Sequence, residues 1–212
     1  MHIVVKADDQ QREEFLSKKI PGTVLVSWLS NETAIPGADA YFDLLFEEQG
    51  PAFNGVTDKP VFVNAVITTG EALPANYIRI NAWNGFLKRE IIELATANLP
   101  ARSQDAQTYI QAIHILDELG WKYQPVPDTP GMVAARVIAM IINEAYFGLG
   151  DEISSKAEID TAMKLGTNYP YGPFEWSEKI GLRKIYTLLK KLHETDSRYA
   201  VAPALEKEIN FL

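Results

Sequence analysis

Two hydrophobic periodicities alternate along the first half of the chain. Short apolar runs rich in β-branched and aromatic residues predict strands, and the longer amphipathic segments between them predict helices. The predicted strands are His2–Lys6, Thr23–Leu29, Ala40–Phe46, Pro60–Val66, Tyr77–Ile80 and Trp121–Val126. The predicted helices are Gln10–Lys19 and Ser103–Leu119, the second closed by Gly120. Strands alternating with helices imply an α/β fold with a mainly parallel sheet.

The pattern changes at Gln124–Gly131, where three prolines fall close together and everything after them has helical periodicity. We therefore predict an α/β domain over residues 1–125 and an all-α domain over residues 126–212. A complete doubly wound unit of six strands, with βαβ modules of about 30 residues each, does not fit comfortably before Pro125. The first domain is accordingly predicted to be shortened.

Helix boundaries in the second half are marked by capping residues. Thr129 is predicted to cap the first helix, with Pro130 at its first position. That helix, over residues 132–149, is apolar nearly all round, so it requires burial on several sides. The segment Ser155–Glu158 has capping-box spacing, and its helix is predicted to stop at Gly166. Two more helices are predicted over Gly181–Glu194 and Ala202–Ile209.

Composition narrows the classes of function. The chain has 212 residues, a hydrophobic fraction of 47% and a formal net charge of −8, without a basic stripe, so nucleic acid is not an expected partner. It has no cysteine and three histidines, which excludes thiolate chemistry and makes a multi-histidine metal site improbable. No segment has the pattern of a membrane span or targeting signal, so a cytoplasmic location is expected.

A longer string in the second half resembles a known family. The matching positions are Asp128–Gly131, Asn143–Glu144, Ile159–Gly166 and Tyr169–Phe174. In this order they are similar to the carboxy-terminal domain of the 3-hydroxyacyl-CoA dehydrogenases. Most of the shared residues are turn or cap residues, so the motif identifies a fold and an ancestry before it identifies a reaction.

The resemblance implies a Rossmann-like sheet domain followed by the family's all-α domain. In the family that second domain forms a homodimer interface and one wall of an acyl-CoA cleft, and NAD is the cofactor. A homodimer and an acyl-CoA or other small ligand are therefore expected here. The apolar helix over residues 132–149 agrees with a dimer.

The dinucleotide fingerprint is missing where the first strand meets the first helix. No glycine occurs between Met1 and Ile20, although glycines there allow the tight turn and the close approach of a pyrophosphate. Asp8 and Asp9 begin the predicted helix instead, where carboxylates act as caps and repel phosphate. No cofactor is expected.

The resemblance also covers the catalytic segment of the family. Asn64, Asn84 and Glu93 match retained positions, and the spacing from Asn81 to Glu93 equals the family spacing from the catalytic histidine to its glutamate partner. The histidine position is Asn81 here. The family's substrate-contacting serine is Val66, and its helix asparagine is Ala135. The candidate catalytic positions are therefore Glu93, Asn81 and Asn84.

These replacements support two hypotheses. An asparagine has no proton that titrates near neutral pH, so Asn81 cannot accept the hydroxyl proton of a 3-hydroxyacyl thioester as histidine does. The first hypothesis is a non-catalytic family member that binds a ligand or serves a structural role. The second is an active oxidoreductase of acyl-CoA metabolism that uses Glu93 as its base. His114 is expected to pack on its helix, and His193 is expected in solvent.

Overall fold

The computed structural model describes residues 1–30, 37–96 and 103–211. It divides into two compact units, Met1–Met132 and Val133–Leu212. The division falls a few residues after the predicted boundary at 125/126. The last strand of the sheet, β7, spans Lys122–Pro127, so the proline-rich segment begins inside the sheet.

The first unit is built on one sheet. Within the described residues its strands are β1 (His2–Lys6), β2 (Leu25–Trp28), β3 (Ala40–Asp43), β4 (Val61–Asn64), β5 (Tyr77–Ile80), β6 (Ile91–Thr96) and β7. Their order is β2-β1-β3-β4-β5-β6-β7, and every neighbouring pair is parallel except β5 and β6. The predicted parallel α/β fold is confirmed. The strand β6 was not among the predicted strands.

The first unit is shortened in the connections between its strands and not in the strands themselves. Helix α1 spans Asp9–Ser17, and α3 spans Ser103–Glu118. Between β3 and β4 the chain forms only α2 (Phe46–Gln49), and between β4 and β5 it forms one 3₁₀ turn, Gly70–Ala72. Because these connections are so short, seven strands fit where the sequence suggested that six would not.

The two faces of the sheet are covered differently. Apolar side chains of α1 and α3 pack on one face, around Phe15, Phe42 and Leu116. The other face is covered by shorter segments, which bring Phe46, Phe53 and Leu73 against the strands.

The second unit is helical throughout the part that the structure describes. Its helices are α4 (Ala134–Gly150), α5 (Lys156–Thr167), α6 (Pro173–Ile180), α7 (Leu182–His193) and α8 (Pro203–Ile209). Helices α4, α6 and α7 supply most of its buried residues. None of the helices in the described ranges is long and apolar enough to cross a membrane.

Two predicted helix boundaries are wrong. Helix α4 begins at Ala134 and not at Thr129–Pro130, because Gly131 and Met132 adopt left-handed backbone conformations with φ of 79° and 47°. Helix α5 does not stop at Gly166. It continues to Thr167 and ends where Asn168 takes the left-handed conformation, with φ of 55°. Asparagine tolerates this conformation better than most residues, so it replaces glycine as the terminator.

Candidate functional site

The switch point of the sheet lies at β1. This strand pairs with β2 on one side and with β3 on the other, so the connections after β1 and β2 lead in opposite directions. Ligands of open α/β sheets bind outside the carboxyl ends of the strands at such a point. The residues that follow β1, β3, β4 and β5 therefore form the candidate site.

The amino terminus of α1 is capped by the chain's own side chains. The Asp8 carboxylate accepts a hydrogen bond from the Gln11 amide at 2.7 Å, and the Gln11 side-chain oxygen accepts one from the Asp8 amide at 3.1 Å. This capping box confirms that Asp8 is a helix cap, whereas Asp9 is an exposed residue of the first turn. The helix terminus that would attract a phosphate carries carboxylates instead.

Buried amides join the strand ends to one another. Gln11 Nε2 donates to the Leu44 carbonyl at 2.7 Å, and Asn64 Nδ2 donates to the same carbonyl at 3.1 Å. Asn64 Oδ1 accepts from the Ala82 amide at 3.0 Å. Gln11 and Asn64 are almost wholly buried. These bonds connect α1 and the residues just after β3, β4 and β5.

Asn81 and Glu93 are hydrogen-bonded to each other. Asn81 follows β5, Glu93 lies on β6, and Asn81 Nδ2 donates to Glu93 Oε2 at 3.0 Å. The Asn81 amide nitrogen also donates to the Glu93 carbonyl at 3.4 Å, so the antiparallel pairing of the two strands sets the contact. Asn81 is buried, and Glu93 is partly exposed. The pair consists of an amide donor and a carboxylate acceptor.

Asn84 makes a different contact from the other two candidates. Its Nδ2 donates to Gln10 Oε1 at 3.0 Å, which ties it to α1. The next residue, Gly85, donates its amide to Glu14 Oε1 at 2.6 Å. Lys18 Nζ donates to the Arg89 carbonyl at 2.7 Å. Side chains on one side of α1, together with Lys18 just after it, therefore hold the loop over residues 81–89.

An ion pair that the sequence analysis missed lies near the ends of β4 and β5. The Arg79 guanidinium donates to the Asp128 carboxylate, and it also donates to the carbonyls of Ala65 and Val66 at 2.8 and 3.1 Å. Asp128 accepts from the Gly70 amide at 2.9 Å. Arg79 is almost wholly buried. An arginine in the apolar strand Tyr77–Ile80 was the available signal, because a buried charge requires a partner.

Glu47 holds the other side of the same loop. Its Oε1 accepts from the amides of Ile67 and Thr68 at 2.7 and 2.8 Å. Desolvation by burial raises the pKa of Glu47 above its ordinary value, although these hydrogen bonds oppose the shift. Together Arg79, Asp128 and Glu47 fix the backbone of residues 65–70.

The side chains of the remaining sequence candidates take no part in these contacts. Val66 is buried, and its carbonyl also accepts from the Gly131 amide at 2.7 Å. Ala135 is buried in α4. His114 is exposed and not packed, and His193 is exposed as expected. The described residues contain no group of three or more histidines and carboxylates that could hold a metal ion.

The formal charge is concentrated in the first unit. Residues 1–132 carry ten basic and 17 acidic side chains, whereas residues 133–212 carry ten and 11. An acidic surface disfavours the approach of anionic ligands.

The comparisons with known proteins agree on one family. The model of the 3-hydroxyacyl-CoA dehydrogenase C-terminal domain matches residues 131–210. The chain is 33% identical over 190 residues to 3-hydroxyadipyl-CoA dehydrogenase of Escherichia coli (strain K12), a match that covers 87% of this chain and 39% of that protein. It is 30% identical over 138 residues to 3-hydroxybutyryl-CoA dehydrogenase of Bradyrhizobium diazoefficiens, covering 64% and 46%. The chain thus spans less than half the length of these relatives.

Solved structures share the fold. FadB2 of M. tuberculosis is similar with a TM-score of 0.74 at 13% identity, covering 99% of this chain and 93% of that one. (S)-3-hydroxybutyryl-CoA dehydrogenase PaaH1 of Ralstonia eutropha has a TM-score of 0.67 at 16% identity, with the same coverage. The Rossmann-like sheet, the helical unit and the matching relatives together show that this chain belongs to the 3-hydroxyacyl-CoA dehydrogenase family.

Proposed function

We propose that this chain is a non-catalytic member of its family, a homodimeric protein that binds a ligand or serves a structural role. The observation that carries the proposal is the hydrogen bond from Asn81 to Glu93. The dehydrogenase reaction requires a group that accepts the substrate's hydroxyl proton near neutral pH, and histidine supplies it in the family. Asn81 offers only amide hydrogens and a neutral oxygen, so it holds Glu93 without moving a proton.

The family's cofactor, NAD, does not fit the residues at the first strand–helix turn. A pyrophosphate bound there needs free backbone amides and glycines that let it approach. The Gln11 amide is already bonded to Asp8, and the Gln11 side chain is buried against the Leu44 carbonyl. A dinucleotide would have to displace both contacts and overcome the charge of Asp8 and Asp9. We therefore expect this chain to function without NAD.

The alternative is an active oxidoreductase of acyl-CoA metabolism with a remodelled site. Its support is Glu93, which keeps a partly exposed carboxylate at the family's glutamate position. In that case Glu93 would itself be the base, with Asn81 orienting it. Asn84 would contribute little, because its amide is committed to Gln10.

A homodimer through the second unit is part of the proposal. Helix α4 exposes half of the surface of Val137, and Val133 just before it is equally exposed. These residues are four apart and therefore share a helix face with Ile141. A second copy of the chain is the expected partner, an acyl-CoA or other small molecule the expected ligand class, and the cytoplasm the expected location.

An activity assay separates the two functions. Oxidation of NADH is followed by absorbance with acetoacetyl-CoA as substrate, with the wild type beside Glu93→Gln. The proposal predicts no turnover above background for either protein. Asn81→His alone should not restore turnover, because Val66, Ala135 and the glycine-free turn remain. Robust wild-type activity that Glu93→Gln abolishes would establish the alternative.

A further inference from the structure

The chain contains two Asn-Gly pairs in opposite environments. Asn54 and Gly55 lie in the loop between α2 and β4, and Asn84 and Gly85 lie in the loop after β5. An asparagine followed by glycine can lose its side-chain amide spontaneously, because the glycine nitrogen carries no neighbouring Cβ to hinder attack on the asparagine side chain. Whether such a pair reacts depends on how freely the backbone nitrogen of the glycine can approach the side-chain Cγ of the asparagine.

The first pair is free to react. Asn54 and Gly55 are exposed at the tip of a turn closed by a hydrogen bond of 2.9 Å from the Val56 amide to the Phe53 carbonyl. Within the described residues, neither the Asn54 side chain nor the Gly55 amide has a hydrogen-bond partner. No atom lies within 4 Å of where a Gly55 Cβ would stand.

The second pair is held apart by α1. The Gly85 nitrogen, which would have to attack, donates its hydrogen to Glu14 Oε1 at 2.6 Å. The Asn84 side-chain nitrogen donates to Gln10 at 3.0 Å, and Gly85 is buried. Both groups would have to break these bonds before they could react.

We propose that Asn54 is a site of spontaneous deamidation and that Asn84 is protected from it. The Gly55 backbone nitrogen loses its proton and forms a bond to Asn54 Cγ, while the bond from Cγ to the side-chain nitrogen breaks and ammonia leaves. Water then opens the cyclic imide at one of its two carbonyl carbons. The product is either an aspartate in the normal chain or an isoaspartate, in which the chain runs through the side chain.

The isoaspartate product would disturb the loop because the loop is anchored on both sides. The Ala52 amide donates to Asp43 Oδ2 at 2.7 Å, and Asn76 Nδ2 donates to the Val56 carbonyl at 2.9 Å. Phe53 between them is fully buried on the face of the sheet that has no long helices. An added backbone methylene inside this short anchored turn must shift either Phe53 or the Val56 contact.

The test is a time course of the purified full chain in mildly alkaline buffer, digested and analysed by mass spectrometry. The peptide with Asn54 should gain the mass that replaces an amide by an acid and should resolve into aspartate and isoaspartate forms. The peptide with Asn84 should remain unchanged. The control Gly55→Ala should fold normally, because Gly55 does not require a left-handed backbone and its Cβ meets nothing, and it should lose the conversion.

Three results would overturn the proposal. They are an unmodified Asn54 over the full time course, equal conversion of Asn54 and Asn84, and undiminished conversion of Asn54 in the Gly55→Ala protein. As a further check, hydrogen exchange should report loss of protection in residues 53–56 in the isoaspartate fraction only. Asn54→Asp supplies the charge without the added methylene and should leave that protection intact.

Discussion

The two units of this chain keep different parts of their family's pattern. In the helical unit the family motif residues form bonds that build the fold. The Asp160 carboxylate accepts from the amides of Phe174 and Glu175 at 2.8 and 3.2 Å, which caps α6. Asn143 spans the loop before α8, donating to the Ala200 carbonyl at 2.8 Å and accepting from the Ala202 amide at 2.9 Å.

In the sheet unit the residues near the ends of the strands form hydrogen bonds with one another. Asn81 bonds to Glu93, and Gln11 and Asn64 share the Leu44 carbonyl. These contacts join the residues at the carboxyl ends of the strands to one another. The difference teaches that family motif residues can serve the fold, as Asp160 and Asn143 do, whereas the loss of the reaction that we propose depends on residues of the sheet unit.

The largest expected effect is on the buried ion pair of the sheet unit. Arg79→Leu leaves the Asp128 carboxylate, whose side chain is only 11% exposed, without its charge partner and frees the carbonyls of Ala65 and Val66. The free energy of unfolding should fall by about 3–5 kcal/mol, measured by urea denaturation. The exposed pair of Lys122 and Glu90 is the matched control, and Lys122→Ala should change stability little. Similar losses in both variants would contradict the assignment of Arg79.

The next effect tests the cap of the helical unit. A Cβ added at Gly172 would lie 2.3 Å from Asp160 Oδ1, so Gly172→Ala must push the capping carboxylate away. We expect a loss of about 1–3 kcal/mol in the free energy of unfolding from the forced rearrangement. The control is Gly166→Ala, in the last turn of α5, where a Cβ meets nothing and a helical backbone favours alanine by up to about 0.5–1 kcal/mol. Opposite signs for the two variants are the expected outcome.

The third variant tests the exposed face of α4. Val137→Asp places a charge on a residue that is half exposed, so the isolated chain should still fold. Sedimentation should give a dimer for the wild type and a monomer for the variant, with unchanged circular dichroism. A wild type that is monomeric at micromolar concentration would contradict the proposed homodimer. Thr187→Asp adds the same charge at an exposed position of α7 and should not alter the subunit count if the apolar row of α4 is the interface.

The smallest expected effect is on the pH dependence of the sheet unit. Burial raises the pKa of Glu47 above its ordinary value of 4.5, so the folded chain binds this proton more tightly than the unfolded chain does. That contribution to stability is fully present at low pH and is lost as the pH rises through the folded pKa. Glu47→Gln keeps an oxygen for the Ile67 and Thr68 amides and should flatten this part of the profile. The burial argument would be contradicted if, above pH 4.5, the free energy of unfolding of Glu47→Gln depended on pH as steeply as that of the wild type.

The sequence was sufficient where a local pattern decides the structure. The alternation of short apolar runs predicted six of the seven strands in the described residues near their observed positions, and the capping-box spacing predicted the cap at Ser155. Asp8 and Asp9 were both expected at the start of α1, and the cap is Asp8. The spacing of Asn81 and Glu93 marked both positions as candidates, and the hydrogen bond between them is visible only in the structure. Their chemical role stays a prediction.

The sequence was insufficient where distant residues decide. Arg79 and Asp128 are 49 positions apart, and nothing local in either segment indicates the other. The late start of α4 depends on a left-handed Met132, a conformation that residue type does not predict. The anchoring of the loop over residues 81–89 by Gln10, Glu14 and Lys18 also required the fold, because these side chains reach residues more than 70 positions away.

Direct measurement of NADH binding tests the central claim, which is that the switch point of the sheet no longer accepts a dinucleotide. Isothermal titration calorimetry of the full chain with NADH should give no heat beyond dilution. Gln11→Gly, which removes both the cap partner and the buried amide, should not create binding, because Asp8, Asp9 and the acidic surface remain. A micromolar affinity for the wild type that increases when Asp8 and Asp9 are replaced would place a nucleotide at this turn and contradict the account.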